Sequence, residues 1–379
     1  MDEGARPRRV LGEVAAVMAK LGTIAFGGPA VHVAMLRDEV VRRRRWLEDA
    51  EFLDLFGAVS VLPGPSSTQL AIVLSRRRAG WTGLVLGGLC FIGPAMMIVL
   101  GLAWAYRRYH STPTGGGLLH GVRPVVVAVV AVALWELGRS ALKRRWYVII
   151  AAAAVACYFG RINVLVALAA GGVTATVVRN RQRLTGTSAF LPVLPVLSTV
   201  AATRARPGSG AILAEFAKLG VIVFGSGYVL LAFLRVDLVT HLHWLTQRQV
   251  LDAVAAGQVT PGPVFTTATF VGYLLGGVPA ALIATAGIFV PSFIMVSALE
   301  PVVGRVRRSE WLAPALEGVT VAALGLMAGV TIDLGRSAVV DPLTGLLAVA
   351  GLIVMLRWRP NGVWLVAGGA AVGVAHALL

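Results

Sequence analysis

The chain has little charge, little cysteine and no long polar stretch. Only 14% of its 379 residues are charged, and 57% are hydrophobic. A soluble domain with mean hydropathy +0.80 would have too little polar surface to stay in solution. Two cysteines, Cys90 and Cys157, both sit inside apolar segments, which speaks against a disulfide framework and a cysteine metal site. The six histidines are scattered except for His241 and His243, and no two carboxylates share an apolar helix. That leaves no constellation for hydrolytic or metal-assisted chemistry, so an intramembrane enzyme is not expected. No phosphate-loop or dinucleotide fingerprint occurs, and no cofactor is expected. Nor does the N-terminus read as a signal peptide, because its apolar run carries Glu13 and Lys20 and has no evident cleavage site.

What is present is length without polarity. A helix needs about 20 apolar residues to cross a bilayer. Such segments lie near 80–105, 118–138, 146–160, 162–178, 279–299, 315–334, 343–356 and 363–379. The expectation is an all-α polytopic protein of the inner (plasma) membrane. The net charge of +16 would suit nucleic acid, but the arginines bracket apolar segments and read as topology signals. The lipid bilayer, not nucleic acid, is the expected partner. A homodimer is compatible with the sequence.

The chain repeats itself. A shift of 198 residues superposes Lys20-Leu21-Gly22 on Lys218-Leu219-Gly220, Phe26-Gly27 on Phe224-Gly225, and Trp46-Leu47 on Trp244-Leu245. It also superposes Pro63-Gly64-Pro65 on Pro261-Gly262-Pro263 and Thr68 on Thr266. After a one-residue gap the shift becomes 197, aligning Pro94 with Pro291 and Leu137-Gly138-Arg139-Ser140 with Leu334-Gly335-Arg336-Ser337. Residues 1–180 and 207–379 read as duplicated domains joined by a linker at 181–206.

Arginine placement is exchanged between the halves. Arg42 to Arg45 and Arg76 to Arg78 are strongly basic, whereas the counterpart of the second run, Tyr273 to Val278, has no basic residue. Conversely, Arg305, Arg307 and Arg308 enrich the counterpart of the sparse Arg107 loop. By the positive-inside rule the halves are inverted, with the apolar linker stretch Leu184 to Ala202 supplying the extra crossing. A parallel duplication is the alternative. Both basic runs around 51–75 face one side, so that segment reads as a re-entrant hairpin bent at Pro63-Gly64-Pro65. Segment 10–41, bent at Phe26-Gly27-Gly28-Pro29, reads likewise.

Each break opens a new apolar helix. The unpaired N–H groups of its first turn, with the positive end of the helix dipole, form an anion site. Ser66, Ser67 and Thr68 follow one Pro-Gly-Pro, and Thr266 and Thr267 follow the other, adding hydroxyl donors. A lone Pro-Gly-Pro could simply kink a helix; duplication with hydroxyls both times favours a small oxyanion. Lys20 and Lys218 each precede a break by six residues. They flank a dianion between the halves, or they snorkel or pair with Glu13 and Glu215. His32 and Glu39 are candidates for proton coupling, against a plain packing role for the histidine. The second half has Leu230 at the position of His32.

Phe26-Gly27-Gly28-Pro29 with His32, Met35, Arg37 and Glu39, then Trp46-Leu47 and Pro63-Gly64-Pro65, resembles the chromate ion transporter superfamily, in its long bidomain branch. A second, weaker copy is Phe224-Gly225-Ser226-Gly227 with Pro261-Gly262-Pro263, where Gly227 replaces the proline. The resemblance covers nearly the whole chain. It implies oppositely oriented halves and efflux of chromate from the cytoplasm, driven by the membrane potential or the proton gradient. Sulfate shares the charge, shape and size of chromate, and nothing in the sequence separates them. A passive anion channel is a further reading.

Overall fold

The computed structural model describes residues 5–26, 29–60, 62–142, 144–160, 162–180, 207–223, 229–298 and 311–379. The linker 181–206, Gly27 and Gly28, the segment Phe224 to Tyr228 and the arginines at 305, 307 and 308 lie outside them. The described residues are almost entirely helical, with no strand. In the first half the helices are α1 Ala5–Ile24, α2 Pro29–Arg37, α3 Asp49–Val59, α4 Ser66–Tyr109, α5 Pro113–Ala141, α6 Arg145–Phe159 and α7 Val164–Arg179. The second half has α8 Ser209–Ile222, α9 Val229–Phe233, α10 Gln247–Val259, α11 Thr267–Ser297, α12 Leu312–Ala338, α13 Pro342–Trp358 and α14 Gly362–Leu378. The two sets correspond one for one.

The correspondence extends to irregular backbone. Both α2 and α9 run on into π-helical turns, Asp38–Arg43 and Leu234–His241. After each turn comes a left-handed residue, Arg45 at φ 51° and His243 at φ 53°. The Trp46 amide then donates to the Val40 carbonyl, and that of Trp244 to the Leu238 carbonyl, both at 2.8 Å.

Neither α4 nor α11 is one straight helix. Ala79 and Gly80 have φ,ψ of −138°,23° and 63°,−154°; Gly276 and Gly277 have −157°,26° and 71°,−156°. Glycine is needed at the second position, where φ is positive and ψ lies near ±155°. The chain doubles back there. Thr269 and Thr285 are 16 residues apart, about 24 Å along a straight helix, yet their hydroxyls meet at 2.7 Å. Residues 66–78 therefore form a short arm of about 20 Å, less than the ~30 Å of hydrocarbon. With α3 and the Pro-Gly-Pro bend, this arm makes the re-entrant hairpin read from the basic runs. The long stretches Ser66–Tyr109, Pro113–Ala141, Val264–Ser297 and Leu312–Ala338 are apolar enough to cross a membrane.

The halves are antiparallel. Arg76, at the hinge of α4, donates to the carbonyls of Val296 at 3.2 Å and Ser297 at 3.1 Å, at the far end of α11. In a parallel duplication the end of that arm would stand ~28 Å from the level of the hinge. Contacts are exchanged in pairs. The Gly64 amide donates to the Val223 carbonyl at 2.7 Å, and the Gly262 amide to the Ala25 carbonyl at 2.9 Å. Both pairs are repeat-equivalent, the signature of a two-fold relation.

The halves also interlock. First-half α5 packs on second-half α13 and α14, and second-half α12 packs on first-half α6 and α7. Glycines set these approaches. A Cβ on Gly369 would lie 2.6 Å from the Gly121 carbonyl oxygen, and one on Gly171 would lie 2.9 Å from that of Gly318. Small residues allow such contact where lipid gives helices no hydrophobic reason to associate.

Candidate functional site: the paired helix breaks

The bends meet at the two-fold. Ala25, at the end of α1, touches the second Pro-Gly-Pro through Gly262; Val223, at the end of α8, touches the first through Gly64. Both glycines have positive φ, 105° and 84°. A Cβ on Gly64 would lie 3.3 Å from the Gly220 carbonyl oxygen, and one on Gly262 would lie 2.8 Å from that of Gly22. Pro29 opens α2, as a proline at the first helical position should. Phe26 lies just before it, half-buried.

The first break opens onto polar groups. Pro65 caps α4, and Ser66, Ser67 and Thr68 form its first turn, where N–H groups have no intrahelical acceptor. Ser67 and Thr68 are buried, and so are Gln69 beside them and Ser292 from α11. Gln69 donates its amide to the Pro63 carbonyl, tying the bend shut. Three of these buried atoms have no hydrogen-bond partner: Thr68 Oγ1, Gln69 Oε1 and Ser292 Oγ. An unpaired buried polar atom costs on the order of 1–3 kcal/mol. The Thr68 and Ser292 hydroxyls can donate to an occupant, whereas Gln69 Oε1 can only accept. A Cβ on Gly64 would lie 2.9 Å from Gln69 Nε2 and 3.1 Å from Ser292 Oγ.

His32 ties this cluster to the other break. Its Nε2 lies 2.9 Å from the Ala25 carbonyl oxygen and its Nδ1 lies 3.4 Å from Ser67 Oγ. The carbonyl only accepts, so Nε2 carries the proton, and in the neutral ring Nδ1 accepts from the Ser67 hydroxyl. The same Ala25 oxygen takes the Gly262 amide.

The second break is closed by comparison. Thr266 donates to the Pro263 carbonyl at 2.7 Å and Thr267 to the Val264 carbonyl at 2.8 Å. Its first residues form a 3-10 turn, Val264–Thr266. Pro261 and Gly262 are buried with them, while Gly225, Ser226 and Gly227 lie outside the described residues.

The lysines are engaged by acids. Lys20 reaches Glu39 at 3.1 Å; Lys218 reaches Glu215 at 2.7 Å and Asp237 at 2.9 Å. Asp237 is the repeat equivalent of Glu39, so this pairing is itself duplicated. Glu13 is not the partner of Lys20, because Arg44 and Arg78 hold it at 3.2 and 2.9 Å. Glu39 also receives Arg44 at 3.0 Å, leaving its carboxylate ringed by cations.

A further charged cluster bridges the halves. Arg123 on α5 grips Asp252 on α10 through two hydrogen bonds of 2.8 and 2.9 Å, and Tyr106 donates to the same carboxylate at 2.9 Å. Within the second half Arg235 reaches Asp333 at 2.7 Å, and Tyr158 of the first half donates to the same carboxylate at 2.7 Å. Sequence reasoning passed over Gln69, Ser292, Arg123 and Asp252. One signal for Ser292 existed: it stands opposite Ala95 under the repeat, a polar residue where the copy is apolar.

The profile of the chromate transporter family matches residues 12–176 and again 210–374. The chain belongs to that family. Its similarity to curated members spans both halves. It is 32% identical to a chromate transport protein of Cupriavidus metallidurans, covering 98% of this chain and 95% of the relative. It is 34% identical to one from Pseudomonas aeruginosa, covering 90% and 86%. A chromate transport protein described as probable, from Synechococcus elongatus, is 31% identical over 92% and 90%. No solved structure matches the chain. The two matched regions are the two halves seen in the helices, so this is a multi-pass inner-membrane member of the chromate transporter family with duplicated repeats.

Proposed function

We propose that the chain exports chromate across the inner membrane as a secondary transporter, with the oxyanion bound at the first Pro-Gly-Pro break. The carrying observation is the buried first turn of α4, where the unpartnered Thr68 hydroxyl, with that of Ser292 from α11, accompanies the first-turn backbone amides at the meeting point of inverted halves. The relatives named as chromate transport proteins supply the substrate class. Inverted repeats that cross at Gly64 and Gly262 are the arrangement in which one bound ion can be exposed to alternate faces. A charge crossing 100 mV exchanges about 2.3 kcal/mol, and an interior-negative potential favours outward movement of an anion. Export therefore follows from the potential; His32, against Ser67, is the group through which a proton could enter the cycle. Glu39, ringed by cations, suits a structural role.

Sulfate is the second reading, because neutral hydroxyl and amide donors recognise shape and charge and treat the two dianions alike. Uptake of radiolabelled chromate by everted vesicles, with potential and proton gradient imposed separately, tests the proposal. Wild-type protein should accumulate chromate, with sulfate competing. Gly64→Leu, which adds a side chain against Gln69 and Ser292, should reduce uptake at least tenfold while the protein stays in the membrane. Undiminished uptake in that variant would contradict the site, and flux that follows the potential, ignores the proton gradient and does not saturate with chromate would favour a channel.

A further inference from the structure

The two Pro-Gly-Pro breaks are copies in sequence and differ in chemistry. At the first, Thr68 and Ser292 are fully buried and each has an unpartnered hydroxyl that can donate to an oxyanion. At the second, the hydroxyls of Thr266 and Thr267 are spent on their own turn. Opposite Gly64 stands the Ser292 hydroxyl; opposite Gly262, at the equivalent place, stands the Ala95 methyl, 2.8 Å from where a Cβ would be. His32 adjoins the first break, and its equivalent is the aliphatic Leu230. A crevice beside the second break is lined by Val130, Leu230, Val254 and Val264, and its one unpartnered donor is Gln258 Nε2. An oxyanion there would bury most of its oxygens against hydrocarbon, which is costly.

We infer that each chain holds one oxyanion, not two, and that Ser292, supplied by the second half, is a ligand in the site of the first. This rests on the reading of the first break as the oxyanion site. The second break is closed around its own turn, and the second half contributes to the site through Ser292 on the long arm of α11. Because the first site draws on both halves, it is complete only when α11 packs against α4, and relative movement of the halves removes a ligand. The repeat has thus kept its backbone symmetry and lost its chemical symmetry.

Purified full-length protein in lipid nanodiscs provides the test, with radiolabelled sulfate and chromate as probes in equilibrium binding. One ion per chain is expected. Ser292→Ala should weaken binding about tenfold, the effect of one hydrogen bond to a charged group, and Ser292→Thr should retain it. Thr266→Val and Gln258→Leu should bind as wild type. Without ligand, Ser292→Ala should melt no lower than wild type, because its hydroxyl has no partner to lose; a purely structural serine would not behave so. Two ions per chain, or loss of binding in Thr266→Val with Ser292→Ala unaffected, would overturn the inference. The two readings fail separately. If Gly64→Leu abolishes binding and Ser292→Ala leaves it unchanged, only the role of Ser292 falls. If Gly64→Leu binds normally, the first break itself is not the site.

Discussion

Arg45 and His243 are held in the left-handed region, at φ 51° and 53°, because each sits where a π-helical turn must hand over to Trp46 or Trp244. A side chain there costs about 1 kcal/mol that glycine does not pay. His243→Gly should therefore raise the melting temperature by a few degrees, and a lower melting temperature would show that the imidazole contributes more than its backbone strain removes. Asp49 illustrates a different residue-level effect. The Arg37 guanidinium, bonded to it at 2.6 Å, holds its carboxyl below the usual carboxylate range. A lowered native value means the stabilisation is full above the unfolded value, about 4, and is lost as pH falls through the native one. Melting curves of wild type and Asp49→Asn should differ at neutral pH and converge in acid. Hydroxyls next to a Pro-Gly-Pro were visible in the sequence. Which of them were free was not, since that depends on whether Thr266 bonds its own turn and Thr68 does not. Lys20 and Lys218 show the same limit in part: the pairing of Lys218 with Glu215, one turn away, was legible, but Glu39 and Asp237 arrive from another helix.

At the scale of elements, the charge bridge between α5 and α10 and the glycine seams carry the predictions. Asp252 is fully buried against Arg123. Removing one member of such a pair strands the other, at about 3–5 kcal/mol, whereas replacing both by apolar residues is often close to neutral. Asp252→Ala should therefore destabilise the protein strongly in thermal melts, and Arg123→Met with Asp252→Leu should recover most of the loss. A double variant no better than the single one would show that the pair does more than brace. Gly121→Ile should prevent α5 from seating on α14 and yield aggregated protein in detergent, because a side chain there meets the Gly369 backbone. Spans and breaks were readable from apolar length and from Pro and Gly. The hinges at Gly80 and Gly277 were not singled out, since one glycine in an apolar run ordinarily passes through a helix. Only the paired positive φ values and the fold-back of Thr269 onto Thr285 identify them.

At the scale of the whole molecule, duplication and inversion were legible because both leave marks along the chain, in the 198-residue register and in the arginines. Interlocking was not. Nothing in a linear pattern says that α5 packs on α13 and α14 rather than on α6 and α7, because every one of those faces is small and apolar. The fold that results joins inverted halves along seams of glycine and leaves one polar, unsatisfied turn where they meet. Crystals grown with chromate and measured at the chromium absorption edge test this most directly. The account predicts a single anomalous peak per chain, within hydrogen-bonding reach of the first turn of α4 and of Ser292. A peak at the second break, or one held between Lys20 and Lys218, would contradict it.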